Sequence, residues 1–218
     1  MFSAFFPIFF TMLIVVDPIG LVPLYIGLTS RIAPEKRKGI IRKAILVSFL
    51  VLLGFVFLGK YILALLHIEP GSFFIAGGIM LFIVALEMLF GRQSHTKISE
   101  KEHADPGHDD ARHLAVFPLA IPMLAGPGAI TTIILYAGSY VRGGREFSFP
   151  EIALMLVVAI ILVLIITALT LTVSDFILMI LGETGVSVME RIMGLLLAGL
   201  SVQFVYDGIV RLGFSRFI

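Results

Sequence analysis

The sequence predicts an all-α polytopic membrane protein: six transmembrane helices in a 3+3 inverted-topology repeat, with the first helix of each repeat broken. Three observations predict it. The 218 residues are 59% hydrophobic and 14% charged, with a mean hydropathy of +1.07, whereas soluble domains are about one quarter charged. The apolar residues gather in six windows, each long enough to cross a hydrocarbon core of roughly 30 Å. Two of those windows, one in each half, are interrupted by proline and glycine. Stretches such as Ile45–Leu53 are apolar on both parities, which excludes the alternation of an outer-membrane barrel and leaves helices.

The first window, about Phe5–Leu28, carries Asp17 at its centre, followed at once by Pro18, Ile19 and Gly20. It has no basic leader and a carboxylate in its core, so it is expected to remain in the mature protein. The second window, about Ala44–Leu66, follows a basic loop. The third, about Gly71–Phe90, contains Gly77 and Gly78, small residues that let helices approach closely. The fourth, about Leu114–Val141, breaks at Ala125-Gly126-Pro127-Gly128-Ala129. The fifth is about Ile152–Ser174. The sixth, about Ile192–Val210, carries Gln203 and Asp207 and is preceded by Glu183, Glu190 and Arg191. The organisation is therefore one transmembrane domain, 1–218, with a first repeat at 1–90, a cytoplasmic linker at 91–113 and a second repeat at 114–218.

The halves resemble each other weakly. Phe6-Pro7 opens one and Phe117-Pro118 the other; near their ends, an offset of 117 places Ile75 on Ile192 and Gly77 on Gly194. Three spans per half is an odd number, so the second half must enter from the opposite side.

Lysine and arginine orient the chain. The side holding Arg31, Lys36, Arg37, Lys38, Arg42, Lys43, Arg92, Lys97, Lys101, Arg112 and Arg191 has 11 basic residues against 5 on the other. The basic side faces the cytoplasm and both termini face outward. That basic loop is read as the positive-inside signal, so no nucleic-acid partner is expected. The chain has no cysteine, so single cysteines at Ser3 and Ser99 report the orientation directly. With an impermeant thiol reagent on intact cells, Ser3→Cys is expected to label and Ser99→Cys to stay dark; the reverse pattern overturns the orientation. The chain also lacks tryptophan, which leaves Tyr25, Tyr61, Tyr136, Tyr140 and Tyr206 as its interfacial aromatic belt.

The linker holds four of the five histidines among five carboxylates. Such a density can bind zinc or nickel, but the spacing matches no compact zinc signature. A solvated linker is expected, with no metal and no cofactor. No Ser–His pair, paired carboxylates or metal-ligand set lies at depth, so no enzyme is expected.

A carboxylate in hydrocarbon is costly, and unwound backbone there is tolerated only where it is buried in protein or lines a cavity. At the first break Pro18 lacks an N–H and restricts its predecessor, while Gly20 permits an unwound or left-handed turn. Asp17 then either caps the second half-helix or faces a cationic ligand group, a proton or sodium. At the second break Gly126 and Gly128 bring backbone close to an occupant. A helix restarting at Pro127 offers its positive end to a carboxylate. Thr131 and Thr132 follow with hydroxyls, unless these bond back within the helix. A carboxylate at one break and a helix N-terminus at the other match the ends of a zwitterion. Asp17, Pro18, Gly20, Gly126, Pro127, Gly128, Thr131, Thr132 and Gln203 are thus the expected substrate-binding residues, with Gln203 facing the protein interior or pathway. Glu87, Glu183, Arg191 and Asp207 are the expected gating or ion network, with Arg191 pairing to Glu183 or Glu87. The expected partners are a small-molecule solute, a coupling proton or sodium, and membrane lipid; a homo-oligomer is left open.

Asp17-Pro18-Ile19-Gly20, the run Ala120–Ala129, and Leu181-Gly182-Glu183 with Arg191, Met193-Gly194, Gln203 and Asp207-Gly208 resemble the MarC family. The resemblance covers essentially the whole chain and implies a prokaryotic six-span inner-membrane protein grouped with the LysE-type exporters. Some members of that family are described as carrying small neutral amino acids such as glycine and alanine. The central linker is the least family-like stretch.

Overall fold

The computed structural model describes residues 2–30, 32–90, 115–137, 141–142 and 145–213. The expectations for the linker at 91–113 lie outside the described residues. Helices dominate: α1 (Phe2–Val16), α2 (Leu21–Thr29), α3 (Pro34–Leu65), α4 (Pro70–Phe90), α5 (Ala115–Leu124), α6 (Pro127–Ala137), α7 (Phe149–Thr172) and α8 (Ser174–Arg211). α3, α4, α7 and the Thr184–Arg211 part of α8 are each long and apolar enough to cross a membrane. α1 with α2, bent by 42°, and α5 with α6, bent by 47°, would each make one further span, so the chain is multi-pass with four to six crossings.

Local chemistry explains the boundaries. In α5, Phe117 (φ −133°, ψ 126°) and Ile121 (φ −124°, ψ 125°) leave helical geometry. Each precedes a proline, whose ring excludes the α region from the residue before it. The Ile121–Pro122 peptide is cis. α7 opens on a capping box in which the Ser148 N–H donates to Glu151 Oε2 at 3.0 Å. Gly182, with φ 63° and ψ 176°, interrupts α8, so the last span starts near Thr184 rather than Ile192.

Two further features differ from the sequence reading. Lys36, Arg37, Lys38, Arg42 and Lys43 lie in the first turns of α3 rather than in a loop, because Pro34 and Glu35 start that helix early. Among them, Arg37 donates to Asp175 Oδ2 at 3.3 Å. A two-stranded antiparallel hairpin, β1 (Val141–Arg142) with β2 (Arg145–Glu146), joins α6 to α7.

The main core gathers α1, α3, α5, α6 and α7 around Ile8, Met12, Leu52, Leu119, Leu124, Ile133, Leu156 and Ile160. A hydrogen bond between Thr11 Oγ1 and Tyr136 Oη, 3.1 Å, ties α1 to α6. Of the expected belt, Tyr25 and Tyr136 are buried and hydrogen-bonded, while Tyr61 and Tyr206 are exposed.

Among the described residues, α4 and α8 form the most extensive helix pair. A Cβ placed at Gly71 would lie 2.8 Å from the Gly208 carbonyl oxygen, one at Gly78 2.8 Å from that of Ser201, and one at Gly194 3.1 Å from that of Ala85. Contacts that advance along α4 recede along α8, so the two helices run antiparallel. Small residues permit this backbone approach, which is how helices associate where burial against lipid gives no driving force.

Candidate functional site

The first break is built around Asp17. Its φ of 46° is left-handed, a conformation that Asp and Asn tolerate better than other side chains. Gly20, where the left-handed turn was expected, is instead right-handed (φ −64°). Glycine is required there for space: a side chain would overlap the Asp17 carboxylate. That carboxylate accepts the Gly20 N–H through Oδ1 at 3.1 Å, closing the turn that leads into α2, whose N-cap position is Gly20 itself. Its Oδ2 has no hydrogen-bond partner among the described residues. Asp17 is 7% exposed.

The second break lies against the first. A Cβ at Gly128 would sit 2.8 Å from Val15 Cγ1, two residues before Asp17, and would collide with Leu81 of α4. At Gly126 a Cβ would collide with the Pro122 carbonyl oxygen, which is backbone and cannot move aside. Pro127 opens α6, and the Ile130 N–H returns to the Gly126 carbonyl at 3.1 Å. The two threonines divide. Thr132 Oγ1 donates to the Gly128 carbonyl at 2.8 Å, within its own helix. Thr131 Oγ1 is buried with no hydrogen-bond partner and lies against the space beside Gly77.

α4 runs past both breaks. Gly77 meets Thr131, Leu81 meets Gly128, and Met88 reaches the space beside Gly20 with its Cε and that beside Gly194 of α8 with its Cβ. One turn before Gly194, half-buried Glu190 is close enough for its charge to be felt at Asp17. Sequence reasoning missed Glu190. In sequence it only precedes the sixth window, with no role; its spacing of four from Gly194 was the available signal.

The remaining expected residues are not gathered here. Gln203 is exposed, and its amide donates to Asp207 Oδ1 at 2.7 Å. It is not turned into the protomer's interior, one of the two expected placements; a partner one turn away on the same helix meets part of its hydrogen-bonding need. Asp207 therefore stands with Gln203, far along α8 from Arg191. Arg191 is exposed and makes no ion pair or hydrogen bond among the described residues, so its expected pairing with Glu87 is not formed. Glu87 is half-buried on α4, next to Met88; the side chain of Glu183 lies outside the described residues. Among the described residues no three His, Asp or Glu side chains gather as a metal site.

Comparison with known proteins places this geometry in context. Residues 2–212 match the model of the MarC family of integral membrane proteins. A UPF0056 membrane protein of Methanocaldococcus jannaschii is 37% identical over 204 residues, covering 94% of this chain and 86% of that one. One of Pyrococcus abyssi is 35% identical over 195 residues, 89% of each chain. The UPF0056 inner membrane protein YhgN of Escherichia coli is 32% identical over 198 residues, covering 91% of this chain and 92% of that one. No solved structure matches.

Proposed function

The chain belongs to the MarC family of integral membrane proteins, and from that premise we propose that it is an inner-membrane secondary transporter moving a small neutral amino acid by alternating access. The observation that carries this reading is the contact between the two breaks, Gly128 against Val15. It sets a carboxylate with an uncommitted oxygen near the N-terminus of α6. An ammonium group pairs with Asp17 Oδ2, and the helix N-terminus receives the carboxylate. The site comprises Asp17, Pro18, Gly20, Gly126, Pro127, Gly128 and Thr131, with Glu190 as a second acid for an ammonium, proton or sodium. Thr132 is engaged within its helix and serves the break's geometry. The names and bacterial and archaeal sources of the relatives support an inner-membrane location.

The meeting of α4 and α8 through glycines at corresponding places in the two halves supports the inverted repeat. The third and sixth spans of such a repeat point in opposite directions, and here their glycine faces meet. Bulky aromatic solutes are disfavoured because the breaks leave little room between Val15, Leu81 and Gly128. Dianions are disfavoured because no basic side chain among the described residues lies beside Asp17.

Proteoliposome flux across a panel of labelled amino acids tests the proposal. Saturable counterflow of glycine or alanine is expected. In the same assay Thr131→Val is expected to weaken transport more than Thr132→Val. No flux of any small neutral amino acid, with saturable flux of another solute class, overturns the substrate. Unsaturable flux without counterflow identifies a channel.

A further inference from the structure

We propose that the outward face of α8, centred on Gly199 and Gln203, is an interface with a second copy of this chain, making a twofold dimer whose axis lies along the membrane normal. α8 turns Leu197, Ser201, Phe204 and Gly208 inward, where they are buried. Ile192, Leu196, Gly199, Gln203, Tyr206 and Val210 are not buried. At 3.6 residues per turn those six fall in one strip roughly 80° wide on the opposite side of the helix.

The strip is not simply lipid-facing. Gln203 lies eight residues, roughly 12 Å, before Arg211 and roughly 28 Å after Thr184, which places it inside a hydrocarbon layer of about 30 Å centred on that span. Its bond to Asp207 uses one amide hydrogen and one carboxylate oxygen. The amide carbonyl, the second amide hydrogen and the other carboxylate oxygen have no partner among the described residues. Acyl chains supply none, and polar groups at this depth turn toward protein or water. The contact between the breaks does not meet the need, because Met88 and Gly194 approach it from the inward side of α8.

A second copy fits this face better than an unrelated helix. Two copies inserted the same way share a twofold axis along the normal, so each residue meets its own counterpart at equal depth. A glutamine amide both donates and accepts, so Gln203 is its own complement. One turn earlier, Gly199 has no atom within 4 Å of the position a Cβ would take. That leaves room for a neighbouring backbone to approach.

The cysteine-free chain makes the test direct. Ile192→Cys, Gly199→Cys and Tyr206→Cys, introduced singly, are expected to form disulfide-linked dimers on oxidation in native membranes. Leu50→Cys on α3 and Ile83→Cys on α4, exposed but off the strip, are expected to stay monomeric. In mild detergent, the mass from light scattering is expected to be that of a dimer for the parental chain. Gln203→Leu and Gly199→Leu are expected to raise the dissociation constant at least tenfold. Gly199→Leu keeps this readable, since nothing in the protomer lies within 4 Å of the Cβ position there. A monomeric parental chain, cross-links equally strong at Leu50, or undiminished dimers in both variants overturns the proposal.

Discussion

Asp17→Asn is expected to cut transport roughly tenfold to a hundredfold while leaving the protein folded in the membrane. A hydrogen bond to a charged group contributes about 1.5–3 kcal/mol, and each 1.4 kcal/mol is about a factor of ten in affinity. The substitution isolates charge from structure for two reasons visible at the break. Asparagine accepts the Gly20 N–H as aspartate does, so the bond that closes the turn survives. It also tolerates the left-handed backbone that this position adopts. Asp17→Leu is the contrasting variant. It removes the hydrogen bond to Gly20 and strains the left-handed backbone, so it is expected to lower the amount of folded protein as well as its activity. Flux in proteoliposomes, normalised to folded protein, separates the two. Parental transport by Asp17→Asn removes the carboxylate from the mechanism.

Gly126→Ala is expected to abolish the folded state of the second break, and Gly128→Ala to leave a folded but impaired protein. The two differ in what the added methyl meets. At Gly126 it meets the Pro122 carbonyl oxygen, part of the same rigid turn. At Gly128 it meets Leu81 and Val15, side chains that can shift, so the cost is that of overpacking, about 1–3 kcal/mol. The shift spreads the two breaks apart. Gly54→Ala on α3 is the control: nothing lies within 4 Å of its Cβ position, and alanine gains up to about 1 kcal/mol of helix propensity. Thermal unfolding and flux of the three variants give the order. A Gly126→Ala protein as stable as Gly54→Ala would contradict the geometry.

The contrast among residues shows what the sequence makes legible. Asp17 stood out because a carboxylate in an apolar run has few explanations, and Gly126-Pro127-Gly128 because proline and glycine disrupt a helix wherever it packs. Both mark chemistry along the chain, which a sequence displays. What it hides is rotation about the helix axis. In water an apolar stripe reveals the inward face, but a membrane span is apolar all round. Gln203 is therefore exposed where the interior was one of its two expected placements, and Tyr25 and Tyr136, expected in the belt, are buried. Glu190 was hidden for the same reason, being beside Arg191 in sequence but on another face of α8. Gly77 and Gly194 were legible as small residues, not as the surfaces that meet Thr131 and Met88.

The glycine-lined pairing of α4 with α8 carries a consequence for biogenesis. Gly78 leaves the ribosome more than 120 residues before Ser201, the residue whose carbonyl it will touch. At synthesis rates of roughly 5–20 residues per second, α4 must wait roughly 6–25 s in the lipid with its notched face uncovered. Until then any other small-residue helix in the translocation machinery or the bilayer can occupy that face. α8, made after α4, is thus the helix that covers the notched face of α4. A nascent chain truncated before residue 184 is expected to keep that face of α4 uncovered, however well its earlier helices insert.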